Sequence, residues 1–123
     1  MSTKEPLGLR VEMQAVAIRG TRTTEQWLEL IDDIVRTAGM TPCGERAIWH
    51  YPEVCDGGVG PNGDIIVQPI TESFVALDIW PDHDGAYVLL CSCRPIPWDA
   101  VYKACERAGL KPVDVASSHL KLR

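Results

Sequence analysis

The chain has no apolar run that approaches the length of a membrane-spanning helix. Nor does it carry an excess of positive charge: 12 Lys and Arg stand against 17 Asp and Glu, for a net charge of −5. That balance argues against a nucleic-acid-binding surface and leaves no polybasic patch for a membrane. The first ten residues lack a hydrophobic signal core, so a cytoplasmic location is expected. There is no C-x-x-C pair and no pair of closely spaced histidines. Cys43, Cys55, Cys91, Cys93 and Cys105 make an odd set of five, which reads as reduced thiols rather than a disulfide framework. Cys91 and Cys93 share one face of a strand by alternation. Without further ligands at zinc-site spacing they read as small apolar residues, and no metal is expected.

What is present suits one globular domain. The 123 residues are 46% hydrophobic and 24% charged, enough to bury a core without covalent staples. Residues 1–9 are polar and contain Pro6 and Gly8, so a loose arm is expected. Residues 11–18 read as a strand. Thr23, with Gln26 three residues on, is a capping box. Trp27, Leu30, Ile31, Ile34, Val35 and Ala38 then recur at helical spacing up to Gly39. Residues 46–51 form a short strand candidate, followed by a Gly- and Pro-rich loop over 52–63. Apolar runs over 65–70, 74–80 and 86–93 read as strands, with 81–85 as a hairpin turn. Pro97 suits the first turn of a second helix, whose apolar face would be Trp98, Val101, Tyr102, Cys105 and Ala108. Residues 113–116 read as a last strand. The order β-α-β-β-β-β-α-β predicts an α+β two-layer sandwich, a mainly antiparallel sheet with both helices on one face.

Two features bear on chemistry. Gly58-Val59-Gly60-Pro61-Asn62-Gly63 matches G-x-G-x-x-G by letter. A dinucleotide site needs a helix after this turn, but here a strand follows and Pro61 removes a backbone donor, so the segment reads as a turn-rich loop. In the strand over 74–80, alternation puts Val75, Leu77 and Ile79 on one face and Phe74, Ala76, Asp78 and Trp80 on the other. An acid among apolar neighbours is either solvent-facing on an open sheet or part of a site.

From residue 61 to residue 93 the chain resembles the bacterial and archaeal S-adenosylmethionine decarboxylases, which are self-cleaving pyruvoyl enzymes. The family's P-x-G, A-E-S-H, I-H-T-W-P-E and T-C-G elements correspond to Pro61-Asn62-Gly63, Thr71-Glu72-Ser73-Phe74, Leu77-Asp78-Ile79-Trp80-Pro81-Asp82 and Ser92-Cys93-Arg94. The stretch from Ser73 to Cys93 aligns without a gap. The resemblance implies cleavage between Glu72 and Ser73 into residues 1–72 and 73–123, with Ser73 becoming a pyruvoyl group. That ketone would join a substrate amine and take up the electrons released with CO2. Cys93 matches the cysteine implicated as proton donor.

The same comparison exposes departures. Asp78 replaces a histidine that assists processing, and could shuttle a proton if burial raised its pKa. Phe74 replaces another histidine, and Asp82 a glutamate that holds the ribose. Val59 stands where an aromatic stacks on adenine, Ile65 where a serine assists processing, and Arg94 where a glycine follows the cysteine. Asp82, Val59, Ile65 and Trp80 are the candidate substrate-binding positions. The implied function is a decarboxylase of polyamine synthesis acting on S-adenosylmethionine. One alternative is a relative that takes L-ornithine or L-arginine, with Asp78 or Asp82 pairing to the distal cation. Another is an unprocessed, non-catalytic homologue serving as a binding or dimer module. A homodimer is expected from the resemblance, and an exposed strand edge is one way to build it.

Overall fold

The computed structural model describes residues 10–52, 57, 60 and 62–121. Its elements are β1 (Arg10–Arg19), α1 (Thr24–Thr37), β2 (Ala47–Tyr51), β3 (Gly63–Ile70), β4 (Ser73–Trp80), a 3-10 turn (Pro81–His83), β5 (Gly85–Ser92), α2 (Ala100–Arg107) and β6 (Lys111–Lys121). The strands form one six-stranded sheet in the order β2-β3-β4-β5-β1-β6. Every neighbouring pair is antiparallel. The predicted α+β sandwich and its element order are therefore observed.

Helix α1 begins where the capping box puts it. The Thr23 hydroxyl accepts from the Gln26 N–H, and the Gln26 side chain accepts from the Thr23 N–H. This satisfies two of the N–H groups that a helix start leaves without partners. The stripe Trp27, Leu30, Ile31, Ile34 and Val35 is fully buried. It meets Val16, Ile18, Ile66, Val75, Leu77, Ile79, Val88 and Leu90 from the sheet in one core, together with Ala100, Val101, Ala104 and Cys105 of α2. Both helices thus cover the same sheet face. They are also joined to each other, since Arg107 donates from Nε and Nη2 to the two oxygens of Asp33 at 2.9 and 3.0 Å.

Three elements differ from expectation. Helix α2 starts at Ala100, whose N–H donates to the Pro97 carbonyl, so Pro97 and Trp98 belong to the turn before it. Trp98 is consequently exposed rather than on the helix's apolar face, and Tyr102 is also exposed, while Val101 and Cys105 are buried. Strand β6 runs to Lys121, well beyond residue 116, because β1 offers it a full-length partner. Cys93 falls just past the end of β5.

Among the described residues no helix covers the second sheet face. Cross-strand pairing aligns Trp49 with Ile65, Ile65 with Asp78, Asp78 with Tyr87, and Ala76 with Leu89 on that side. Trp49, Tyr87 and Leu89 are exposed.

The core should respond to truncation by its depth. Ile31→Ala removes a completely buried side chain and is expected to destabilise by about 2–5 kcal/mol. Thr23→Ala removes the cap and should cost about 1 kcal/mol. Urea unfolding checks both; equal small losses would contradict this packing.

Candidate active site

Strands β3 and β4 form a hairpin. Ile70 pairs with Ser73, leaving Thr71 and Glu72 as its two loop residues. Two-residue hairpins usually rely on positive φ at glycine or asparagine. Here the only described non-glycine residue with positive φ is Asp84. The loop is instead held from outside by a ring of hydrogen bonds. Thr71 N–H donates to the Thr41 carbonyl at 2.9 Å, and Thr41 N–H donates to Glu72 Oε1 at 3.3 Å. The Thr71 hydroxyl donates to the same oxygen at 2.9 Å, and Arg94 Nη1 to Glu72 Oε2 at 3.1 Å.

The Glu72 side chain is only 6% exposed. Burial works against its charge, but the Thr71 hydroxyl, the backbone N–H groups of Thr41 and Glu72, and the Arg94 guanidinium outweigh it. The carboxyl is held below its ordinary value. On the main chain, Cys93 N–H donates to the Glu72 carbonyl at 2.9 Å. That carbonyl belongs to the peptide bond joining Glu72 to Ser73. Ser73 lies opposite Ser92 across β4 and β5 and is exposed, as is Cys93. A hydroxyl, a polarised carbonyl and a thiol-bearing residue therefore meet at one end of the sheet. The sequence holds a signal for this: counting outward from the 81–84 turn brings residue 73 opposite residue 92.

A second group lies towards the other end. Ile65, Asp78 and Trp80 line a 220 Å³ cavity with Tyr51, Asn62, Gly63 and Ile79. Gly63 is required there, because a Cβ would collide with the Ile79 carbonyl oxygen. Asp78 supplies the one carboxylate in this lining. Trp80 also borders a 440 Å³ cavity with Arg19, His83, Asp84 and Tyr87. Its Nε1 is buried, with no hydrogen-bond partner among the described residues. Asp82 sits in the exposed 3-10 turn. Val59 and Cys55 lie outside the described residues.

The two groups are far apart within one chain. At about 3.3 Å per residue, Asp78 is roughly 17 Å and Trp80 roughly 23 Å along β4 from Ser73. Asp78 also takes the opposite sheet face from Ser73 by alternation. Sequence reasoning brought out neither Thr41 nor Tyr51, and Asn62 only as the middle residue of the Pro61-Asn62-Gly63 element. Thr41 reaches Glu72 across 31 positions, which no local pattern encodes.

No family model matches the chain, and no curated protein sequence matches it. Among solved structures, it is similar to the crystal structure of the adenosylmethionine decarboxylase from Aquifex aeolicus VF5. The TM-score is 0.60 at 18% identity, over 94% of this chain and 91% of that one. The chain has an adenosylmethionine decarboxylase-like fold. Among the described residues no helix is long and apolar enough to cross a membrane, and no group of three or more His, Cys, Asp or Glu could hold a metal ion.

Acid should loosen this fold in a defined range. Asp33 is held below its ordinary 3.8, chiefly by the hydrogen bond from Arg107, and Glu72 lies below its ordinary 4.5. For a lowered carboxyl, the stabilisation is complete above the unfolded value and is lost as pH falls through the folded one. The urea midpoint should therefore hold above about pH 5 and fall below about pH 4. In the Asp33→Asn/Glu72→Gln double variant that fall should be shallower; an unchanged slope would assign it to other groups.

Proposed function

We propose that this chain is a self-processing pyruvoyl-dependent decarboxylase of polyamine synthesis. The observation that carries the reading is the Cys93 N–H on the Glu72 carbonyl, at the bond that precedes an exposed Ser73 hydroxyl. A donor aimed at a carbonyl oxygen stabilises negative charge as that carbon becomes tetrahedral. Ser73 Oγ would add to the Glu72 carbonyl carbon, and loss of the C–N bond would convert the amide to an ester. Removal of the Ser73 α-proton would then expel Glu72 as a carboxylate and leave a dehydroalanine. Addition of water and departure of ammonia would finish the pyruvoyl group. Once present, that group supplies an acceptor for the electrons that departing CO2 leaves behind. Cys93, exposed beside Ser73, is the proposed proton donor to the product carbon.

The cavity at the far end supports a cationic substrate. Tyr51 and Trp80 offer aromatic surface and Asp78 a carboxylate, a combination that suits a sulfonium or an ammonium. S-adenosylmethionine is the substrate we favour, given the likeness to an adenosylmethionine decarboxylase; L-ornithine and L-arginine are the alternatives that the same carboxylate would accept. Asp78 and Ser73 cannot cooperate within one protomer at this separation. We therefore propose a homodimer in which each copy lends its Asp78 end to the other's Ser73 end. In such a pair the sheet face with Trp49, Tyr87 and Leu89 would carry the Asp78 side, and the exposed end of the sheet at Ser73 and Cys93 the other.

Intact mass tests the chemistry. Purified protein should give two fragments divided after residue 72, the second bearing a carbonyl that borohydride reduces. Ser73→Ala should remain whole and inactive. A wild-type chain that stays whole and unreactive would favour the non-catalytic reading. Cys93→Ala should lower CO2 release more than cleavage, and equal turnover would remove it from the acid role. CO2 release from S-adenosylmethionine, ornithine and arginine ranks the substrates.

The dimer makes a separate prediction. Ser73→Ala and Asp78→Ala should each be inactive alone. Their co-expressed mixture should regain up to about a quarter of wild-type activity, through mixed dimers with one intact site. A mixture as inactive as its components would reject the shared site.

A further inference from the structure

We propose that Arg94 is a positioning residue for cleavage, acting through Glu72; the inference rests on the self-processing reading above. The segment 92–94 grips Glu72 twice. Cys93 N–H takes the main-chain carbonyl, and Arg94 Nη1 takes the side-chain carboxylate. The segment is itself fixed, because Arg94 N–H donates to the hydroxyl of Ser92, which is completely buried. Glu72 is therefore held at both ends of its own residue by one short stretch of β5 and its exit.

This arrangement decides the orientation of the peptide plane between Glu72 and Ser73. A carbonyl bonded at its oxygen alone can still pivot about that bond. A second restraint on the same residue's side chain removes the pivot. The Glu72 side chain is nearly inaccessible, whereas the Arg94 side chain is 61% exposed. Arg94 thus holds Glu72 from the solvent side, while Thr41 and Thr71 hold it through the other oxygen. The three donors fix where the carboxylate sits, and the carbonyl is then presented to Cys93 N–H on one side and Ser73 on the other. The acyl shift exchanges bonds between Glu72 and Ser73 alone, and Arg94 acts from the Glu72 carboxylate that it bonds.

The test is the cleavage time course by intact mass, starting from freshly translated protein, for wild type, Arg94→Lys, Arg94→Gln and Arg94→Ala. Thermal midpoints are measured on the same variants in a Ser73→Ala background. Arg94→Ala and Arg94→Gln should slow cleavage at least roughly tenfold, the scale expected when reacting groups lose alignment. Arg94→Lys, which keeps the charge, should recover much of the rate. The midpoints of Lys and Gln variants should agree, so that their difference in rate is not a difference in folding. If Arg94→Ala does not fold, the Lys and Gln pair carries the test. Cleavage at the wild-type rate in Arg94→Gln would overturn the role of Arg94 and leave the self-processing reading intact. Equal slowing in Lys and Gln also overturns it. A wild-type chain that never cleaves overturns both.

Discussion

Among the described residues, helices cover one face of the six-stranded sheet and not the other, and most of the arrangement described above follows from that one-sided cover. The aliphatic alternate residues of β1, β3, β4 and β5 face α1 and α2 and make the core. Their neighbours in sequence are driven to the other side by the pleat. There Ile65, Phe74, Asp78, Trp80, Tyr87 and Leu89 share a face that no described helix covers. A two-layer protein normally makes such a face polar. This one keeps it largely apolar, with a single carboxylate in the lining of a small cavity.

The opposite demand is met at the Thr71–Glu72 turn. A buried carboxylate is costly unless it is fully bonded. Glu72 accepts from Thr41, Thr71 and Arg94, so three segments of the chain meet at one side chain. The expense is tolerable because the same bonds define a turn that the local residues would not specify by themselves. The Glu72 carboxylate is thereby anchored through both of its oxygens.

Much of the fold was legible because its signals are local. Thr23 and Gln26 lie three residues apart, so the helix start could be read directly. The period-two pattern from Phe74 to Trp80 assigned the inner and outer faces of β4, and the 81–85 turn gave the β4–β5 hairpin. Other features were not legible for equally physical reasons. The end of β6 over 117–121 has no hydrophobic alternation, and its length is set by β1. Trp98 looks like a helix residue by spacing, yet its carbonyl is engaged by the Gln14 side chain at 3.0 Å and its ring stays outside. At the site, Glu72, Ser73 and Cys93 were marked by a family likeness, while Thr41 came only from tertiary structure. The separation of Ser73 from Asp78 was implicit in the strand spacing, because five residues of extended chain span far more than a hydrogen bond.

Sheet order has one more consequence. A break after Glu72 would assign β1, β2 and β3 to one polypeptide and β4, β5 and β6 to the other. Yet β1 lies between β5 and β6, and β3 lies beside β4. The two pieces would be interleaved like the fingers of clasped hands, sharing three strand-to-strand seams and a single core. Severing the backbone would therefore leave them as one body: neither piece could leave without unzipping the sheet in its middle.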